Sequence, residues 1–287
     1  MRLLTFRADG ATHVGVVRPD GEEIATIPGA GDMLALIDAG TDGLKAARAA
    51  LDGSRSTHRL GDVTVLAPVP MPRGNVIAIG RNYQAHAEES ARAAGKAVDP
   101  PTVFTKAVTS ITGPYDDITV DGAVTDQVDW EVELGVVVGR GGSGIARARA
   151  LDHVFGYVAV NDVSARDVQF GWGGQYFKGK SLDGFCPFGP WIVTRDEIAD
   201  PQALRLQLRV NGQTKQDAST RDMIYPVDAI LEWVSKGMTL LPGTVIATGT
   251  PDGVGFARTP PEFVRSGDVM EAEVEGIGTL RNRVVIR

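Results

Sequence analysis

The chain has 287 residues, 43% hydrophobic and 23% charged, with a net charge of −7. That length allows roughly two domains with a sizeable core, and an acidic balance without any basic block excludes a nucleic-acid partner. One cysteine, Cys186, excludes an intrachain disulfide. No run approaches the ~20 apolar residues of a membrane span.

The N-terminus, MRLLTFRADG, meets charges too early for a signal peptide, so a cytoplasmic protein with no membrane partner is expected. Strand-like pieces (MRLLTF, THVGVVRP, EEIATI) come first. Two helical pieces follow, GDMLALIDAG and TDGLKAARAALDG, and in the second Leu44, Ala47, Ala50 and Leu51 keep helical spacing. Residues 66–75, LAPVPMPRGN, place three prolines within five residues, which suits an extended connector. A boundary there separates a small N-terminal α+β domain, residues 1–65, from a larger domain, residues 66–287.

Beyond the connector, NVIAIG reads as a short strand entering GRNYQAHAEESARAAG, a loop that runs into a helix. VDWEVELGVVVG and FGYVAVND read as strands, and SARDVQFGWGGQYFKGKSLDGF is too irregular for one element. The clearest helix is PVDAILEWVSKG: Pro226 suits the first turn, Val227, Ile230, Leu231 and Val234 form a stripe, and Gly237 can close it. The last fifty residues read as strands and turns. The fold class expected is α+β, mainly β.

The strand VDWEVELGVVVG poses a question. Strand side chains alternate, so Asp129, Glu131 and Glu133 point one way and Trp130, Val132 and Leu134 the other. Either water washes the acidic face or a cation sits there.

GRGGSG follows directly, with Gly139, Gly141 and Gly144 spelling G-x-G-x-x-G, and Asp162 lies about 20 residues further on. That pattern belongs to dinucleotide-binding folds and an NAD-dependent oxidoreductase. The space for a helix after it is short, however, and a nucleotide phosphate gains nothing from glutamates on the preceding strand. A metal site fits better. Glu131 and Glu133 share a face and Asp162 closes a nearby strand, a hard-oxygen set suited to Mg²⁺, then Mn²⁺ or Ca²⁺. His13, His58, His86 and His153 are scattered, which disfavours zinc. Two plainer readings stay open: Asp162 as a helix cap at VSARDVQ, and glutamates facing solvent on an antiparallel sheet.

GRNYQAHAEE, VDWEVELGVVVG, GYVAVNDVSARDVQ, KGKSLDGFCPFGP and TGTPDGVG, in this order, resemble the fumarylacetoacetate hydrolase family, and RSGDVMEAEVEGIGTLRNRV extends the match towards residue 287. The resemblance implies a mixed β-roll catalytic domain, a homodimer, and Mg²⁺ or Mn²⁺ held by Glu131, Glu133 and Asp162. It implies 2-oxo acid substrates such as acylpyruvates, whose chelation would stabilise the enolate formed when a carbon–carbon bond breaks.

Hydrolysis of a 2,4-dioxo acid is the reading placed first. Oxaloacetate decarboxylation, or isomerisation or decarboxylation of a dioic acid, is the alternative, and a Ca²⁺-stabilised non-enzymatic domain is a third. His86 and Glu89, at i and i+3, share a helix face, so the carboxylate can orient the imidazole as a general base. The family motifs place Arg166, Gln169 and Lys180 at the substrate, with Lys106 in support and Lys178 outside the motif. Gly249 and Thr250 can offer a backbone N–H and a hydroxyl to an anion. Arg81 and Tyr83 precede the His86 helix and can reach substrate. Cys186 reads as a packed small residue. Residues 170–179 and the helix 83–95 flank the site as candidate lids, with Trp172 and Tyr176 shaping its far end.

Overall fold

A computed structural model describes residues 1–53, 58–95, 97, 100–171 and 175–287. The first strand-like pieces form strands Arg2–Ala8, Ala11–Val17 and Glu23–Thr26, paired antiparallel in that order. Their alternation sends Leu4, Phe6 and Ile24 to one buried cluster, and Leu3, Val14 and Val16 to another shared with Met33, Leu36 and Ala47. Those last three come from the helices Met33–Asp38 and Gly40–Asp52, the first capped by Asp32, whose side chain accepts from the Ala35 N–H at 2.7 Å.

The first strand also turns its other edge to Cys186–Thr194, where Arg2 pairs with Val193 and Leu3 with Ile192. The sheet then continues through Val154–Asn161, Val132–Val138, Val245–Ala247, Val76–Gly80 and Thr102–Lys106. A separate five-stranded sheet is ordered Gln213–Ser219, Arg205–Val210, Val269–Val274, Gly278–Ile286, Ile118–Val120. Several strands, few helices and more than one sheet make a mixed, mainly β architecture. The segment 66–75 contains no helix or strand, and its Arg73 is paired with Asp38 and donates to the Pro242 carbonyl at 2.7 Å.

The helix Val227–Val234 begins after Pro226, which occupies the cap position and not the first turn. Val227, Ile230, Leu231 and Val234 are buried in the main core as their spacing predicts. Among the described residues no helix is long and apolar enough to cross a membrane.

Packing accounts for GRGGSG. A Cβ at Gly139 would stand 2.9 Å from the Phe155 Cβ, one at Gly141 would stand 2.8 Å from the Leu240 carbonyl oxygen, and Gly144 has a φ of +62°. The segment after it is a 3₁₀ helix, Arg147–His153, and the strands on either side of it pair antiparallel. A dinucleotide fold needs a parallel crossover with an α-helix there, so the glycine spacing does not carry that function.

Candidate metal and acid–base site

The strand Val132–Val138 is buried along its whole length, with Val154–Asn161 on one edge and Val245–Ala247 on the other. Its glutamates therefore do not face solvent. Glu133 lies within the strand, and Glu131 just precedes it. Asp162 follows Asn161 directly and donates its backbone N–H to the Glu131 carbonyl at 2.8 Å, while the Asn161 side chain accepts from the Glu131 N–H at 3.0 Å. These bonds bring oxygens of Glu131, Glu133 and Asp162 within 4.8 Å of one another, all three residues buried.

Asp129 does not join them. The strand is interrupted between Asp129 and Val132, and the Asp129 carboxylate turns to the Arg166 Nε at 2.8 Å and to the N–H groups of Gly255 and Phe256 at 2.7 and 3.0 Å. Asp162 does not cap a helix; Lys106, buried, binds one of its oxygens at 2.5 Å.

Buried cations answer most of this charge. Lys180 Nζ lies 2.7 Å from Glu131 Oε2 and 2.9 Å from Asp162 Oδ2. Arg166 spans Asp129 and Glu131, the latter at 2.7 Å, and donates to Gln169 Oε1 at 2.9 Å. Burial opposes the Glu131 charge, yet Lys180, Arg166 and His86 draw its carboxyl down to about 2. Burial likewise works against the Lys180 ammonium, and Asp162 and Glu131 hold its pKa above the usual lysine value.

Glu133 is different. Burial, reinforced by Asp162 and Glu131, pushes its carboxyl well above the ordinary range. Its one hydrogen bond among the described residues comes from the Gly249 N–H at 2.7 Å, and no ion pair reaches it. A buried carboxyl beside two more carboxylates, with Lys180 near enough to offset them only in part and no direct ion pair among the described residues, is what a divalent ion would complete. Each carboxylate oxygen has two lone pairs, so Lys180 and a metal can share Glu131 and Asp162. The residues present fit a hard divalent cation.

Next to these acids lies a cavity of about 690 Å³, lined by Glu131, His86, Arg166, Gln169, Lys180 and Thr250, with Arg81 and Tyr176 also on its wall. His86 and Glu89 sit on the helix Gln84–Ala94, and His86 Nδ1 is 2.9 Å from Glu89 Oε1. Both are largely buried. Asn82 fixes the start of this helix: its side chain donates to the Thr248 and Tyr225 carbonyls at 2.8 and 3.0 Å and accepts from the Tyr225 N–H at 2.8 Å.

The segment TGTPDGVG binds anions, but the protein's own. Gly249 serves Glu133, Gly253 serves Glu89 at 3.1 and 3.0 Å, and Gly255 serves Asp129. Gly249 does not line the cavity. With φ +102° and the Asn82 Cβ 2.7 Å from where its own Cβ would be, it has no room for a side chain, and its N–H holds the Glu133 carboxylate. Thr250 does line the cavity; its hydroxyl donates to the Val132 carbonyl and accepts from Gln216. Tyr83 is buried away from the cavity lining, with its hydroxyl unpaired among the described residues. Arg81 donates to the Tyr176 hydroxyl at 2.9 Å and to the Pro100 carbonyl at 3.2 Å. Lys178 is exposed and outside the cavity. Trp172 lies outside the described residues.

The roles of Asn82, Asp129 and Gly253 are not apparent from sequence spacing. Their only local signal is the glycine-rich turn, which says that backbone is close to something without saying to what.

Residues 75–285 match the fumarylacetoacetate (FAA) hydrolase C-terminal family model. The chain belongs to the fumarylacetoacetate hydrolase family. It is 46% identical over 227 residues to oxaloacetate tautomerase YisK of Bacillus subtilis (strain 168), covering 79% of this chain and 75% of the relative. A solved fumarylacetoacetate hydrolase from Exiguobacterium antarcticum superposes with a TM-score of 0.85 at 41% identity, over 100% of both chains. Maleylpyruvate hydrolase from Sphingobium sp. SYK-6, in complex with manganese(II) and pyruvate, gives 0.82 at 32% identity, over 100% of this chain and 99% of that one. Family membership makes the buried acidic triad and the cavity beside it the place to look for its chemistry.

Proposed function

We propose that this family member interconverts the keto and enol forms of oxaloacetate, with Mg²⁺ or Mn²⁺ at Glu131, Glu133 and Asp162. The observation that carries it is the buried His86–Glu89 pair, whose imidazole lines the same cavity as Glu131. The similarity to the B. subtilis tautomerase favours oxaloacetate over the 2,4-dioxo acid hydrolysis that the sequence motifs put first. A bound divalent cation would supply Lewis-acid polarisation of a 2-oxo acid's carbonyl and carboxylate.

The rest is the work of this chain's residues. Glu89, itself held by Gly253, orients the imidazole through Nδ1 and leaves Nε2 to exchange a proton with the substrate. His86 takes a proton from C3 and returns it at the carbonyl oxygen, so one C–H bond breaks, one O–H bond forms, and no carbon–carbon bond is cut. Lys180 and Arg166 keep positive charge beside the oxygens that gain electron density. The Gln169 amide N–H₂ offers a polar contact to the head of the acid, while the Thr250 hydroxyl, spent on the Val132 carbonyl, only shapes the wall.

The likeness to two solved hydrolases supports a second reading, cleavage of acylpyruvates by water activated at the same pair. One experiment separates them. Oxaloacetate freshly dissolved in one tautomeric form is mixed with enzyme and Mg²⁺, the enol absorbance is followed, and the acids are identified by NMR, with acylpyruvates run in parallel. Faster equilibration with no loss of oxaloacetate, abolished by chelator, is expected. Cleaved acids or carbon dioxide without faster equilibration would decide against tautomerisation.

A further inference from the structure

Asp129 is fully buried, does not line the cavity and offers no oxygen to the acidic triad. Both of its oxygens are nevertheless engaged. Oδ1 accepts from the Trp130 and Gly255 N–H groups at 2.8 and 2.7 Å, and Oδ2 from Arg166 Nε and the Phe256 N–H at 2.8 and 3.0 Å. A Cβ on Gly255 would stand 2.6 Å from Oδ1, so only a glycine lets the turn close on the carboxylate. The backbone donors tie a turn to a strand. The remaining donor belongs to a guanidinium that lines the cavity.

That contact fixes more than a charge. A guanidinium is planar and holds its N–H groups in a rigid fork. Asp129 takes Nε and Glu131 takes one terminal nitrogen at 2.7 Å, which sets the plane, and the other terminal nitrogen then meets Gln169 Oε1 at 2.9 Å. The Phe256 ring covers one face, its centroid 4.4 Å from Arg166 Cζ. Arginine only donates, so the end of the Gln169 amide that faces it is the oxygen, and the N–H₂ points the other way. Gln169 lines the cavity, and among the described residues its N–H₂ meets no acceptor. Unlike the Tyr83 hydroxyl, it is not closed off by burial. With the amide turned over, an oxygen would face the substrate's carboxylate and a donor would face the arginine.

We propose that Asp129 is a positioning residue: through Arg166 it fixes which end of the Gln169 amide faces the cavity, and so keeps N–H donors towards the substrate carboxylate. This deepens the reading above and rests on it, because it takes a 2-oxo acid to bind at this head of the cavity. Were Asp129 only an anchor for the turn at Gly255 and Phe256, its removal would change stability alone.

Calorimetric titration of the Mn²⁺-saturated protein with pyruvate, which carries the same 2-oxo acid head, separates the two roles. Gln169→Ala is expected to weaken pyruvate binding about tenfold, the worth of a hydrogen bond to a charged group. Asp129→Asn sets an N–H₂ against N–H donors in either orientation, because both carboxylate oxygens are engaged. It should weaken pyruvate binding by about tenfold or more, and Gln169→Ala added to it should then cost less than about twofold. If Asp129→Asn does not fold, Asp129→Ser carries the same expectation, since it admits a water for the backbone donors without the carboxylate's charge. Unchanged pyruvate affinity in the Asp129 variant, or a Gln169→Ala loss that keeps its wild-type size there, overturns the positioning role. Pyruvate binding to the wild type that ignores Mn²⁺ would instead overturn the reading of the site, and this role with it.

Discussion

Gly253 donates its backbone N–H to both carboxylate oxygens of Glu89, at 3.1 and 3.0 Å, and Glu89 in turn holds His86 Nδ1 at 2.9 Å. The imidazole is thus braced against a turn from a distant part of the chain, not only against its own helix. If the three act as one unit, removing the imidazole removes the purpose of the rest. His86→Ala is expected to lower turnover by ~10²–10⁴ with metal content unchanged. Glu89→Ala should change turnover in the same direction, and the double variant should be little worse than His86→Ala. Additive losses in kcat would show that the two residues do separate jobs.

Metal should be read out by stability as well as by activity. Glu133 is buried with no ion pair among the described residues, so a cation there relieves a charge the fold otherwise opposes. Mg²⁺ or Mn²⁺ added to chelator-treated protein at a hundred times Kd is expected to add about 2.7 kcal/mol, or roughly 5–10 °C in Tm. Chelator should abolish activity and the divalent ion restore it. Glu133→Gln keeps an acceptor for Gly249 and removes the charge, so its Tm in chelator should equal or exceed wild type while the response to metal disappears. A Tm response that survives Glu133→Gln would remove Glu133 from the ligand set.

What could be read in the sequence was local. Alternation placed Glu131 and Glu133 on one face, helical spacing gave His86 with Glu89, and the stripe from Val227 to Val234 is buried as its period requires. The same alternation misled at Asp129, because the strand breaks after it and the carboxylate turns to Arg166. An N–H in a tight turn carries no record of its acceptor, so nothing local shows that Gly249 donates to Glu133, 116 residues away in sequence. The junction of Leu3 with Ile192 was equally hidden, since each strand alone reads as an ordinary apolar strand. Long-range partners, more than element types, are what the sequence withheld.

Cys186 gives a prediction from burial alone. Its side chain is fully buried, and burial pushes its thiol up to about 12. The thiolate is the reactive form, so at pH 8 only about one thiol in 10⁴ is ionised. A disulfide reagent should leave the native protein unlabelled and titrate one thiol per chain in denaturant. Cys186→Ala should retain turnover, and rapid native labelling accompanied by inactivation would contradict both the burial and the assignment of Cys186 to packing.

The two lysines of KGKS make the sharpest contrast. Lys178 is exposed and outside the cavity, while Lys180, two residues on, is buried between Glu131 and Asp162. Lys180→Met keeps most of the stem but leaves two buried carboxylates short of a counter-charge. That should cost about 3–5 kcal/mol in metal-free protein, as broken buried ion pairs do, and added Mn²⁺ should restore part of it by supplying charge to the same oxygens. Turnover should stay low even with saturating metal, by about 2–4 kcal/mol in activation free energy, if the ammonium stabilises developing negative charge on the substrate. Lys178→Met should change turnover less than about tenfold, as befits an exposed charge. Stability in chelator, stability in Mn²⁺ and kcat in Mn²⁺ thus separate the two roles of Lys180. If metal restores both stability and turnover, the lysine only balances charge; if Lys178→Met is the slower enzyme, the assignment of the motif is wrong.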